Sequence, residues 1–101
     1  MSTRLQDRHA LLTGAGGGIG LAVAEAYLAQ GARCTVVDIA PAAPAALAPL
    51  LTIHAGRLQY VGADITRPGQ IEAMLDAAES RFGAADVLFN NAAVFDLAPL
   101  L

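Results

Sequence analysis

Between Thr13 and Gly20 the chain reads Thr-Gly-Ala-Gly-Gly-Gly-Ile-Gly, five glycines in eight residues. A stretch with so few β-carbons lets backbone amides approach a ligand closely, and amides opening a helix carry partial positive charge suited to phosphate oxygens. Ile19 occupies the last glycine place of G-x-G-x-x-G counted from Gly14, whereas Gly14, Gly18 and Gly20 fit G-x-x-x-G-x-G. The chain contains no lysine, which excludes a P-loop and leaves a dinucleotide pyrophosphate as the expected ligand of this turn.

Asp38 lies eighteen residues beyond Gly20, at the end of an apolar run. A carboxylate there can accept hydrogen bonds from both hydroxyls of an adenosine ribose, which selects NAD. A 2′-phosphate would meet like charge at a cost of about 3 kcal/mol per unit charge, before screening. Neither Gly17 nor Ile39 offers a compensating cation, and Arg33, at the far end of the same run, is expected to be a solvated surface residue. Asp64 follows Gly62-Ala63, where it could accept from an adenine amino group while Ile65 flanks the ring; the competing reading is a helix-capping aspartate. In Asn90-Asn91-Ala92-Ala93 the asparagine amides can bond neighbouring main chain and the alanines leave space for a second ribose.

These residues need elements that bring them to one rim. His9 to Thr13 is a short apolar run before the glycines, and helical spacing follows from about Ile19 to Gln30, with Val23 and Tyr27, and Ala24 and Leu28, as i,i+4 core pairs. Gly31 is placed to close that helix in a left-handed conformation. Arg33 to Asp38 is a second strand; two runs joined through a helix imply parallel pairing. Positions 40 to 57 are rich in alanine and proline, and Pro49 limits any helix there to a short one around Pro44 to Leu51. Leu58 to Val61 reads as a third strand. Thr66 is expected to cap a helix bearing Ile71, Met74, Leu75, Ala78 and Phe82 on one face, Gly83 to close it, and Val87 to Asn90 to form a fourth strand. The alternation predicts an α/β fold, an open parallel Rossmann-type sheet of order 3-2-1-4, with the ligand-binding glycine, aspartate and asparagine residues at strand carboxyl ends.

Composition narrows the function classes. The chain has 101 residues, 55% of them hydrophobic, enough for one core and for strands covered on both faces. Its six basic residues are arginines spread along the chain, and the net charge is -3, so neither a nucleic-acid stripe nor an anionic-membrane surface is expected. Residues 39 to 53 are uncharged but short and broken by three prolines, so no membrane span is expected, and the amino-terminal residues lack an apolar secretory segment. The expected location is the cytoplasm. Cys34 is the only cysteine and is read as buried and structural; His9 and His54 lack catalytic neighbours and are read as structural or solvated, and Ser80 has no base at hand.

Thr13 to Gly20 together with Asn90 to Ala93 resembles the paired signature of the short-chain dehydrogenase/reductase family, T-G-x-x-x-G-x-G and N-N-A-G, with Ala93 in place of the usual glycine. The resemblance implies that Gly14, Gly18 and Ile19 line the pyrophosphate, Asp38 the adenosine ribose, Asp64 and Ile65 the adenine, and Asn91, Ala92 and Ala93 the far ribose; Gly17 and Ile39 are counted in the same site. The run Asn90 to Pro99 is similar to a segment of polyol (sorbitol-type) dehydrogenases of the family, which implies an NAD-dependent oxidoreductase, a small alcohol or polyol as substrate, and a homo-oligomer. It also implies a later serine and Tyr-x-x-x-Lys. Tyr27 and Tyr60 are followed four residues on by Gly31 and Asp64, so no catalytic residue is assigned here. Residues 1–101 are expected to be the N-terminal, cofactor-binding part of one incomplete Rossmann domain. The alternatives are a non-catalytic dinucleotide-binding module, or a truncated fragment acting through protein association along its fourth strand and apolar tail.

Overall fold

The computed structural model describes residues 6–14 and 18–90. Four strands, β1 (His9–Thr13), β2 (Arg33–Asp38), β3 (Leu58–Gly62) and β4 (Val87–Asn90), form one sheet in the order β3-β2-β1-β4, all neighbours parallel. Three α-helices connect them: α1 (Gly18–Ala29), α2 (Ala48–Ile53) and α3 (Pro68–Phe82). The expected order 3-2-1-4 is the one observed.

Every residue of β1 is buried, as a central strand covered on both faces requires. Its alternate side chains go to separate layers. Ala10 and Leu12 join Cys34, Val36 and Leu58 under Ala24 and Leu28 of α1 and Leu47, while Leu11 and Val37 pack with Met74 and Ala78 of α3. The helices therefore lie on both faces of the sheet, and each strand alternates between two cores.

Local chemistry explains the element boundaries. Gly31, at φ 92°, ends α1: its amide donates to the Leu28 carbonyl (3.1 Å) and that of Ala32 to Tyr27 (3.1 Å), the paired bonds of a Schellman turn. Gly83, at φ 80°, ends α3. Ala24 and Leu28 are core residues as expected, but Val23 and Tyr27 are only half-buried at its margin, because helical geometry turns them off the line facing the sheet. The stretch around Pro44 to Leu51 divides into a 3₁₀ turn, Ala45–Leu47, and α2, whose first turn holds Pro49 where a missing N–H costs no helical bond. On α3, Met74, Ala78 and Phe82 are buried at successive i+4 places; burial of the Met and Phe side chains contributes about 1.5–3 kcal/mol each.

The expected Thr66 cap is not formed. α3 starts at Pro68 with Arg67 at the cap position and no side-chain cap bond. Thr66 is instead drawn back to Asp64, whose Oδ1 accepts both its amide (3.1 Å) and its hydroxyl (2.5 Å). Proline at the first turn removes one of the donors that a cap would satisfy.

At the amino end of the sheet, the fully buried His9 ties α3 to the strands. The Gly83 carbonyl can only accept, so Nδ1 donates to it (2.8 Å), and Nε2 accepts from the Thr35 hydroxyl (2.7 Å). Gln59 Nε2 donates to Thr35 Oγ1 and to the Ala78 carbonyl. Phe82 stands edge-on to the imidazole at 5.4 Å. His9 is thus structural, as expected. Arg33 differs from its expected solvated state: it is half-buried, donates to the Asp7 carbonyl (2.7 Å) and lies 5.9 Å from the Phe82 ring centre, because the end of α3 arrives beside it.

Candidate functional site

Strand register decides which residues meet. Thr13 pairs with Val37 and with Asn90, and Asp38 pairs with Gly62, so all four strands end at one level. The residues just past those ends, Gly14, Asp38, Ile39, Ala63 and Asp64, therefore share the carboxyl rim, where open parallel sheets bind their ligands. Gly17, Asn91, Ala92 and Ala93 lie outside the described residues.

Gly14 takes φ 64°, and its amide donates to the Val37 carbonyl at 2.8 Å. It turns the chain out of β1 and ties that turn to β2. Its amide thus serves the sheet, and the amides suited to a phosphate are those at the start of α1, where Gly18 and Ile19 form the first turn. No acidic residue occupies that first turn to compete with an anion.

Asp38 ends β2 half-buried, and its Oδ1 accepts the Ile39 amide at 2.8 Å, which orients the carboxylate relative to the backbone. Ile39 is 69% exposed, an apolar side chain held in the open beside the acid.

Asp64 sits in a turn of its own. Oδ1 takes the two Thr66 bonds, Oδ2 lies 3.3 Å from Arg67 Nε, and its amide donates to Gln70 Oε1 at 2.6 Å. The Thr66 hydroxyl and amide, then Arg67, hold its carboxyl below the ordinary carboxylate range. It caps no helix, so the capping reading fails, and an adenine amino group would share an oxygen already in use. The Ile65 side chain points into the core with Leu11, Val37 and Met74 and is 9% exposed.

Two residues that the sequence reading did not single out also bear on this rim. The Tyr60 hydroxyl donates to the Ala40 carbonyl (2.5 Å) and lies 3.2 Å from that of Asp38; burial, then the Asp38 charge, raises its pKa. Gly62 leaves no room for a side chain: a β-carbon there would stand 2.5 Å from the Ala40 oxygen. β3 runs one residue beyond the expected Val61, through Gly62, and a glycine inside a strand marks a close approach of backbone. A depression of about 240 Å³ opens on the other side of β3, lined by Val61, Ala63, Gln70, Ala73, Met74 and Ala77 together with Gly62.

Cys34 is fully buried and its thiol is pushed up to about 12 by burial, so it is an inert core residue. Among the described residues no helix is long and apolar enough to cross a membrane, and no cluster of histidine, cysteine and acidic side chains could hold a metal.

Known proteins share this arrangement. The short chain dehydrogenase family profile matches residues 8–100. The chain is 41% identical to galactitol 2-dehydrogenase of Agrobacterium fabrum, 40% to sorbitol dehydrogenase of Cereibacter sphaeroides and 41% to D-beta-hydroxybutyrate dehydrogenase of Cupriavidus necator, covering 96%, 97% and 95% of this chain and 37% of each relative. A solved structure, 3-ketoacyl-(acyl-carrier-protein) reductase from Brucella melitensis complexed with NADH, superposes with a TM-score of 0.72 at 32% identity, over 83% of this chain and 33% of that one. The chain thus spans little more than a third of the length of these relatives. With Gly14 and the strand-end acid on the rim of a 3-2-1-4 sheet, and the family profile matched over residues 8–100, the chain belongs to the short-chain dehydrogenase family.

Proposed function

We propose that the protein carrying this chain is an NAD-dependent oxidoreductase acting on an alcohol or ketone, with a polyol as the substrate class, and that residues 1–101 are its cofactor-binding part. The observation that carries this reading is the parallel pairing of β1 with β2, which sets the turn at Gly14 and the Asp38 carboxylate side by side on one rim. The donor and acceptor chemistry fits a dinucleotide. The opening amides of α1 would hold the pyrophosphate at Gly18 and Ile19, and Gly17, which precedes them in sequence, is assigned to the same site. Asp38, oriented by the Ile39 amide, would accept the adenosine ribose hydroxyls. Ile39, exposed at 69%, would flank the adenine together with Asp64; Ile65 would contribute there through its backbone. Asn91, Ala92 and Ala93 would line the second ribose.

NAD, when bound, supplies the hydride acceptor. By the family resemblance, the accompanying proton transfer would fall to a serine and a Tyr-x-x-x-Lys; the lysine of that set is absent from these 101 residues. The polyol assignment is supported by the Asn90 to Pro99 segment and by the galactitol and sorbitol relatives. The hydroxybutyrate relative, at equal identity, shows that substrate varies among close kin. The same reading places the protein in the cytoplasm as a homo-oligomer.

Calorimetric titration of the protein carrying this chain with NAD and NADP tests the reading. NAD is expected to bind more tightly than NADP, and Asp38→Asn to weaken NAD by about tenfold or more through loss of charge-assisted bonds. Failure of wild-type protein to bind either dinucleotide would overturn the cofactor assignment. A panel of polyols and hydroxy acids then decides the substrate class.

A further inference from the structure

We infer that Tyr60 is a positioning residue for cofactor choice, holding the peptide that aims the Asp38 carboxylate; this rests on the NAD reading above. The strand ladder ends at Asp38, whose carbonyl accepts the Ala63 amide at 2.9 Å. Beyond it, the chain through Ile39, Ala40 and Pro41 lies on the rim with Ile39 and Pro41 exposed. Two features of β3 act on that segment. The Tyr60 hydroxyl reaches up to the Ala40 oxygen (2.5 Å) and to the Asp38 oxygen (3.2 Å). Gly62, with no side chain, lets the Ala40 and Pro41 backbone settle against it.

The coupling to the acid is covalent. The Asp38 carbonyl and the Ile39 N–H belong to one planar peptide unit. The phenol touches the oxygen end of that unit, and the nitrogen end donates to Asp38 Oδ1 at 2.8 Å. Rotation of the unit would swing the carboxylate and the exposed Ile39 together. A tyrosine bonded to this unit and to the next carbonyl but one therefore fixes an acid and an apolar side chain as one surface, at the place where NAD and NADP differ.

Tyr60→Phe removes the hydroxyl and keeps the ring, which packs against the core layer under α1. Leu58→Ala, in the same strand but remote from the rim, is the control for simple loss of stability. The protein carrying this chain is titrated with NAD and with NADP, and amide hydrogen exchange is followed without any dinucleotide. For Tyr60→Phe, NAD affinity is expected to fall about 5-fold, the effect of one hydrogen bond, with NADP changed less than about 2-fold. Exchange at the Ile39 and Ala40 amides is expected to quicken by a similar factor. Leu58→Ala is expected to lower the melting temperature more while leaving the NAD to NADP ratio and those two amides as in wild type. An unchanged ratio or unchanged exchange in Tyr60→Phe, with wild type binding NAD, overturns the positioning role alone. If wild type binds neither dinucleotide, the NAD reading falls and takes the selectivity role with it, while exchange still reports whether the hydroxyl holds the segment.

Discussion

Replacing Gly62 by alanine puts the geometry of the rim to a direct test. The added β-carbon would lie 2.5 Å from the Ala40 oxygen, and 3.0 and 3.2 Å from the Pro41 Cα and oxygen. All three are backbone atoms, so no side-chain rotation relieves the overlap, and ordinary contact requires the segment to retreat by roughly 1 Å. That retreat pulls the Ala40 oxygen off the Tyr60 hydroxyl. Crowding of this kind costs about 1–3 kcal/mol, and the lost hydrogen bond about 1 kcal/mol more. Against this, alanine is favoured over glycine by about 0.4–1 kcal/mol in the unfolded-state balance, since the strand backbone at this position suits any residue. The net expectation is a destabilisation of about 1–3 kcal/mol in urea unfolding, together with weaker NAD binding. Gly56→Ala, where no atom lies within 4 Å of the added carbon, is the matched control and should stay within about 0.5 kcal/mol of wild type. Coincident unfolding curves for the two variants would refute the claim that β3 and the segment after β2 are in steric contact.

Two further outcomes follow from the buried polar groups. Thr35→Val keeps shape but leaves His9 Nε2 as a buried acceptor without its donor; urea unfolding should show a loss of about 1–3 kcal/mol, and a silent substitution would mean the imidazole has another partner. Burial raises the Cys34 thiol from 9.0 to about 12, so the folded protein holds this proton where the unfolded chain has released it. The associated stability is complete below pH 9 and is lost between pH 9 and 12. A thiol reagent at pH 8 should label Cys34 only at the rate of unfolding, and Cys34→Ala should flatten the alkaline decline. Rapid labelling of native protein would contradict the burial.

Much of the architecture was legible because its signals are local. Helical spacing on α3, the glycines that end α1 and α3, and apolar runs bounded by glycine and aspartate each depend on neighbours within a turn or a strand. The connection through a helix dictates parallel pairing, and the 3-2-1-4 order is that of the Rossmann-type sheet the glycine turn and strand-end acid point to. At the rim, Gly14, Asp38 and Asp64 were recognisable as strand-end residues from position and type together. The boundary of α3 was missed at Thr66 because Asp64, two residues earlier, competes for the same hydroxyl; two local rules applied and the carboxylate won.

The sequence alone determined the layer structure, the location of the rim and the identity of its acid, since period, glycine placement and charge are properties of short segments. Only the tertiary structure decided how that rim is held. Tyr60 and Ala40 are twenty positions apart, Gly62 and Pro41 twenty-one, and His9 and Gly83 seventy-four; such contacts arise where packed strands bring remote backbone within hydrogen-bonding reach, and no pattern within a single segment encodes that distance. The same physics turned Arg33 from a free surface cation into a half-buried partner of Asp7 and Phe82, and sent the Ile65 side chain into the core.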